Sequence, residues 1–329
     1  MIISKTPFRI TLAGGGTDLP SFYQDHGGYV VSMAINKYIY VGLKKNVFHN
    51  YVKMRYMEDE VVSSSKYLKH DRAREALLLN GLHQGLEITS TADLPSKSGM
   101  GSSGSFLVSM IGAIKKFTNT DWNIKDICEE ACHIEMNRLS LSVGKQDQYI
   151  AGYGGTKILN IDTNGNVDVS HLEFDTNSFI NYCNIYQINT YRDAELLLKD
   201  QNKKSKSISF SEIKAMAKKF TEYLIKNDLD QYGHLLDDYW KIKKSLSKNM
   251  SNSLVDDIYQ NAKDRYNILG GKIIGAGGGG FLMLFGQPSN NLDEYMKNNG
   301  MSKLEFDVEY NGLKVVEILK LVLLQDVLI

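Results

Sequence analysis

Apolar and polar positions alternate at the start of the chain. Phe8, Ile10 and Leu12 take one face, and Lys5, Arg9 and Thr11 take the other. Period two predicts a strand, and it runs into a turn signal, Gly14-Gly15-Gly16-Thr17-Asp18. The apolar runs within residues 28–45 predict two more strands. Leu86, Ile88, Ala92 and Leu94, set against Glu87, Thr89, Thr91 and Asp93, predict a further strand that stops at Pro95. Beyond it Phe106, Leu107, Met110, Ile111, Ile114 and Phe117 recur at helical spacing. A second helix is expected over roughly 123–140, with Ile124, Ile127, Cys128 and Ala131 on one stripe. Glu135 continues that stripe, an unusual place for a carboxylate. Short strands at 156–159 and 167–172 follow, then a new run at 182–189. Helical patterns dominate 193–266, and a strand, glycine loop and strand span Lys272–Phe285. The pattern places a domain boundary near 175, giving domains 1–175 and 176–329.

Composition narrows the class without naming it. The chain has 329 residues and 43% hydrophobic content, enough for two domains with their own cores. Lys and Arg total 38 against 38 Asp and Glu. That balance gives no electrostatic reason to expect nucleic acid or an anionic membrane as partner. Cys128, Cys132 and Cys183 make no disulfide framework and have no zinc spacing, so they read as buried small hydrophobes. The N-terminus lacks the shape of a signal peptide, and no apolar run reaches the ~20 residues that span a bilayer. A soluble, reduced, cytoplasmic protein is expected, with a homodimer left open.

The chemistry concentrates in glycine-rich loops. Gly99-Met-Gly101-Ser-Ser-Gly104 and Gly275-Ala-Gly277-Gly-Gly-Gly280 both match G-x-G-x-x-G. Neither has the strand-tip acid of a dinucleotide fold, and the protein-kinase and Walker A signatures are absent. What survives is physical: backbone N–H groups and the Ser102, Ser103 and Ser105 hydroxyls sit at a helix N-terminus, which favours a phosphate. A plain N-cap with a tight turn is the simpler alternative. Serine and a single carboxylate also suit a Mg²⁺ held mainly by phosphates and water. Glu135 is the candidate carboxylate, or else the partner of a buried Arg or Lys. In Gly144-Lys-Gln-Asp-Gln-Tyr149, Asp147 is placed either to take a proton in phosphoryl transfer or to cap a helix.

Taken together, three segments resemble the GHMP kinases (galacto-, homoserine, mevalonate and phosphomevalonate kinases). Pro7-Phe-Arg-Ile-Thr-Leu-Ala-Gly-Gly-Gly-Thr-Asp18 resembles their first motif. Pro95-Ser96-Lys97-Ser98-Gly99-Met100-Gly101-Ser102-Ser103-Gly104-Ser105 resembles their second, and Lys272 through Gly280 their third. The resemblance implies an α+β two-domain fold, with an N-terminal domain like domain 2 of ribosomal protein S5 and a ferredoxin-like C-terminal half. It implies ATP on the Pro95–Ser105 loop, Mg²⁺ on Ser103 and Glu135, and Asp147 and Arg9 as catalytic residues. Gly14, Gly15, Gly16, Thr17, Asp18, Lys145, Arg192, Gly277 and Gly278 are the implied substrate contacts.

Where galactokinases read Gly-Glu-His-Thr-Asp-Tyr, this chain reads Gly14-Gly-Gly-Thr-Asp-Leu-Pro20. Together with Gly144–Tyr149, that departure resembles the heptose 7-phosphate kinases of the family. These phosphorylate the anomeric hydroxyl of D-glycero-D-manno-heptose 7-phosphate, toward GDP-heptose for surface polysaccharide. A phosphorylated substrate needs a cationic clamp away from the reacting end, for which Lys97, Arg138, Lys145 and Arg192 are the candidates. The alternatives are a fucokinase- or galactokinase-like enzyme and a non-catalytic ATP and sugar sensor. The apolar segment 318–329 fits none of these motifs.

Overall fold

The computed structural model describes residues 1–188, 207–247, 249–275, 277 and 279–318. It is an α+β structure built on two sheets. The first contains β1 (Ile2–Ala13), β2 (Gly28–Lys45), β3 (Val52–Arg55), β4 (Asp59–Val62), β5 (Leu86–Ala92), β6 (Thr156–Ile161), β7 (Val167–His171) and β12 (Lys314–Glu317). Its main path runs β12-β1-β2-β5-β3-β4, with β6 and then β7 attached to β2. The second sheet contains β8 (Cys183–Ile188), β9 (Ile268–Ile273), β10 (Gly280–Gly286) and β11 (Ser302–Lys303). Its order, β11-β8-β10-β9, is antiparallel throughout, the strand order of a ferredoxin-like half.

The alternation in β1 fixes which face enters the core. Phe8, Ile10 and Leu12 are fully buried there, and Arg9 and Thr11 on the other face are covered as well. A strand covered on both sides with an arginine inside needs a polar layer above it, and that layer is the site described below. Residues 28–45 form one long strand, not the two expected. Asn36 and Lys37 interrupt the apolar pattern because they form a bulge: Pro7 pairs with Tyr38, whereas Phe8 pairs with Ile35. The two halves of β2 then serve different neighbours, Gly28–Met33 pairing with β6 and Ile39–Lys45 with β5.

Three helices of the first unit matter for the site. Helix α3 (Ser102–Phe117) is buried on almost every side from Gly104 to Ile114, and two serines tie it to the sheet. Ser105 Oγ donates to the Pro7 carbonyl at 2.8 Å, and Ser109 Oγ meets Ser4 Oγ at 2.8 Å. Helix α4 (Ile124–His133) continues through a π turn, Ile134–Arg138. Helix α5 (Gln146–Tyr153) packs against both and against β1. Short helices α1 (Pro20–His26) and α2 (Asp71–Leu79) complete this side.

After α6 (Thr176–Tyr182) and β8, the second unit continues with α7 (Ser207–Ile225), α8 (Leu229–Leu246), α9 (Ser253–Arg265) and α10 (Asn290–Asn298). The boundary at 175/176 falls just ahead of the crossing from one sheet to the other. The split is not linear, however: β12 returns to the edge of β1, with Ile2 opposite Glu317 and Lys5 opposite Lys314. Among the described residues, no helix is long and apolar enough to cross a membrane. Residues 319–329, most of the apolar C-terminal segment, lie outside those described.

Candidate active site

Two helix N-termini and two glycine loops meet over β1. Gly101, in a left-handed conformation with φ 84°, turns the second motif into α3. The third motif lies directly on it. A Cβ on Gly275 would lie 2.4 Å from the Gly99 carbonyl oxygen, and one on Gly99 would lie 2.4 Å from the Ile274 carbonyl oxygen. The two loops therefore pack backbone to backbone, which only glycine permits.

Arg9 ties β1 to both the loop and α5. Its Nη1 donates to the Gly99 carbonyl at 2.6 Å, and its backbone N–H donates to Met100 O at 3.0 Å. Its Nε and Nη2 reach the same Asp147 oxygen, Oδ1, at 2.8 and 2.7 Å. Asp147 sits in the first turn of α5, where the helix dipole favours a carboxylate. Next to it, Thr11 Oγ1 donates to Gln146 Oε1 at 2.8 Å. The two proposed catalytic residues are thus in contact, on the floor of one cavity.

The other predicted residues divide by position. Of the second motif, Lys97, Gly99, Gly101, Ser102 and Ser103 line the cavity. Ser98 and Met100 are fully buried beneath the loop. Gly104 is where α3 and α5 touch, since a Cβ there would lie 2.7 Å from Asp147 Cβ. Ser105 is not free for phosphate, because its hydroxyl holds Pro7. Pro95 and Ser96 are exposed, with Ser96 Oγ 3.5 Å from Met57 Sδ.

Of the first motif, Gly15, Gly16 and Asp18 face the cavity. Thr17 is fully buried behind it, donating to the carbonyls of Gly14 and Tyr29 at 2.8 and 3.0 Å. Gly14 packs on that same Tyr29 carbonyl. These two shape the loop from behind the cavity lining. Asp18 accepts from the Gly16 and Gln146 backbone N–H groups, each at 3.1 Å. Burial raises its pKa, with the two amides acting in the other direction.

Glu135 is the partner of an arginine, and it also faces the cavity, from the π turn. Arg72 Nε donates to Oε1 at 2.8 Å and Gln148 Nε2 to Oε2 at 2.6 Å. Lys145 is not a substrate clamp. It is buried, and its Nζ donates to both Glu129 oxygens, at 2.9 and 2.8 Å, and to the Gly165 carbonyl at 2.7 Å. Arg138 is held by Glu75 at 2.7 Å. Gly277 packs against Met250, where a Cβ would lie 2.0 Å from the sulfur, so it too is structural. Arg192 and Gly278 lie outside the described residues.

Two further cations reach the cavity, Lys243 from outside the motifs and Lys272 from the head of the third, neither of them among the expected clamp residues. Lys243 on α8 and Lys272 on β9 both line the cavity, at 5% and 3% exposure. Lys243 Nζ donates to the Gly15 carbonyl at 2.9 Å. Lys272 Nζ donates to the carbonyls of Thr11 at 2.5 Å and Leu12 at 3.3 Å. Burial lowers the Lys243 pKa to about 8, against a small opposing effect of Asp18. Burial, then the nearby Lys243 charge, lowers that of Lys272 to about 7. A signal for Lys243 was present in the sequence. It continues the stripe of Tyr232, Leu236, Tyr239 and Trp240, as Glu135 does on α4.

Comparison with known proteins agrees with this geometry. Residues 66–155, which hold the second motif, Glu135 and Asp147, match the GHMP kinases N terminal domain. D-glycero-alpha-D-manno-heptose 7-phosphate kinase of Campylobacter jejuni is 28% identical over 95% of this chain and 98% of its own. The L-fucokinase/L-fucose-1-P guanylyltransferase of Bacteroides fragilis is 26% identical over 86% of this chain, which corresponds to 34% of that larger protein. Among solved structures, a D-glycero-D-manno-heptose 1-phosphate kinase from Bacteroides thetaiotaomicron superposes with a TM-score of 0.79. It is 21% identical and is covered over 96% of this chain and 99% of its own, a likeness of fold. With residues 66–155 matched to that N-terminal domain and all three glycine motifs converging on one cleft, the chain carries a GHMP kinase N-terminal domain and is similar along its length to sugar kinases, phosphotransferases that act on a sugar hydroxyl.

Proposed function

We propose that the chain transfers the γ-phosphoryl group of ATP to the anomeric hydroxyl of D-glycero-D-manno-heptose 7-phosphate, giving the 1,7-bisphosphate. The observation that carries a transfer reaction is the Arg9–Asp147 pair at the mouth of the phosphate loop. Arg9 engages only Oδ1, which leaves Oδ2 to accept the proton of the incoming hydroxyl. That hydroxyl oxygen attacks the γ-phosphorus, the bond to the β-phosphate oxygen breaks, and ADP leaves. An anomeric hydroxyl is more acidic than an ordinary alcohol, so Asp147 mainly orients it and accepts its proton. Arg9 and the N-termini of α3 and α5 steady the charge that develops. The heptose assignment is supported by the resemblance carried by Gly14–Pro20 and by the similarity to the Campylobacter jejuni heptose 7-phosphate kinase.

The residues also fit a Mg²⁺ carried mainly by nucleotide phosphates. Ser103 and Glu135 both line the cavity. Beside Glu135, Gln148 Oε1 is a buried acceptor without a protein partner among the described residues. One carboxylate, a serine and a spare acceptor suit a hard cation that keeps most of its shell as water and phosphate. Bound Mg²⁺ would supply charge neutralisation on the phosphates, while Arg72 and Gln148 hold the Glu135 carboxylate in place.

The test is ADP release with a panel of heptose 7-phosphate, free heptose, L-fucose and galactose, with ³¹P NMR of the product. Heptose 7-phosphate is expected to give the highest kcat/KM and a new anomeric phosphate resonance. A preference for fucose or galactose moves the assignment to another sugar kinase of the family. ATP and sugar binding without any turnover makes the chain a sensor.

A further inference from the structure

Lys97 lines the cavity as an exposed cation, whereas Lys243 and Lys272 are buried and stand apart from the paired cations placed around the site. Arg9, Arg72, Arg138 and Lys145 each hold a carboxylate, whereas these two lysines donate to backbone carbonyls and form no ion pair among the described residues. Carbonyls satisfy the N–H groups but cancel no net charge. Two ammonium groups buried on the wall of one cavity, with the Lys243 charge acting on Lys272, call for an anion of more than one charge. A phosphate monoester is nearly a dianion at neutral pH, and lysine binds it well as a point charge.

Their placement says which phosphate. Arg9 marks the reacting end, against Gly99 and Met100 of the nucleotide loop. Lys272 sits two to three residues further along β1, at Thr11 and Leu12, and Lys243 beyond the strand at Gly15. At about 3.3 Å per residue, the step from Arg9 to Thr11 and Leu12 sets Lys272 about 7–10 Å further along the strand, roughly the length of a sugar. Tyr239 and Trp240 of α8 line the cavity on the same side.

The geometry points to Lys243 and Lys272 as the receptor for the phosphate that the acceptor sugar already carries, at the end remote from the hydroxyl being phosphorylated. This rests on the proposed function and makes it more specific. Selection for a phosphorylated sugar then lies in α8 and β9, not in Lys145 or Arg138.

The experiment compares heptose 7-phosphate with free heptose on wild type, Lys243→Met and Lys272→Met, with the corresponding Lys→Arg variants as charge-retaining controls. The ratio of kcat/KM for the two sugars is expected to fall about ten- to a hundredfold in each Met variant, through KM for the phosphorylated sugar, with part of it recovered in the Arg variants. Equal losses on both sugars, or a loss carried by KM for ATP, overturns the assignment. Wild type that turns over neither sugar defeats the proposed reaction, and the receptor is then judged by calorimetric titration with mannose 6-phosphate against mannose. Phosphate-dependent binding that both Met variants lose supports it. Binding that ignores the phosphate, survives the variants or is absent overturns it.

Discussion

Asp147 takes both of its contacts from Arg9 on one oxygen, and that asymmetry separates its two roles. One oxygen fixes the carboxylate and the other is left for chemistry. Asp147→Asn keeps the shape and removes the proton acceptor, so kcat is expected to fall ~10²- to 10⁴-fold while a fluorescent nucleotide still binds. Single-turnover rates and a nucleotide titration check this, and turnover above about a tenth of wild type removes Asp147 as base. Glu135 makes the complementary case. Ser103→Ala and Glu135→Gln are both expected to raise the Mg²⁺ concentration that gives half-maximal rate. Glu135→Gln also weakens the buried pair with Arg72, so its melting temperature must be read beside the titration. An unchanged titration in folded protein returns both residues to structure. At this scale the sequence was informative wherever a polar residue sat on an apolar stripe. Glu135 was noticed for that reason, and Lys243 carries the same signal. The fates of Lys145 and Thr17 were not legible, because they depend on Glu129, Gly165 and Tyr29, partners that only the folded chain brings within reach.

Secondary-structure elements were legible where the period was clean and hidden where it was not. The alternation of β1 and the helical spacing after Gly104 led directly to the observed strand and helix. Helix α5 gave no such signal: Gln148 through Gly152 are buried on all sides, so it has no polar face to set a period. The bulge at Asn36 and Lys37 looks like a turn because its polar atoms pair with Asp307, far along the chain. The glycine loops were found as motifs, but their reason is tertiary. Gly275 lies against Gly99 with φ 84°, so Gly275→Ala meets both a strained conformation and a carbonyl oxygen. It is expected to lower the melting temperature and to raise KM for ATP well above any change in KM for the sugar. Equal changes in the two KM values would mean that the third motif does not shape the nucleotide loop.

Across the whole molecule, 38 basic residues balance 38 acidic ones, and that zero hides how unevenly charge is buried. Two lysines from the second sheet's unit reach the first unit's opening strand and the loop after it, a contact that composition cannot reveal and that joins the two halves across the cleft. Their titration gives the fold a pH dependence whose sign follows from linkage. In the folded chain, burial lowers Lys272 to about 7 and Lys243 to about 8, against the ordinary 10.5 expected when unfolded. Below pH 7 both are charged in both states, and the folded chain bears the full burial penalty. Between the folded values and 10.5 the unfolded chain binds more protons, so stability rises with pH there, by up to about 1.4 kcal/mol per pH unit for each lysine. Asp18, Tyr239 and Arg9 line the same cavity and Cys183 acts on Lys272 from β8, so the contribution must be isolated by difference. Lys243→Met/Lys272→Met removes both groups. Subtracting its stability from that of wild type between pH 6.5 and 10 is expected to leave a curve that climbs from about pH 7 and is still rising at pH 10. Denaturant melts at five or six pH values measure it. A flat difference would mean that both ammonium groups keep their ordinary basicity in the cleft, through water or a carboxylate that reaches them there.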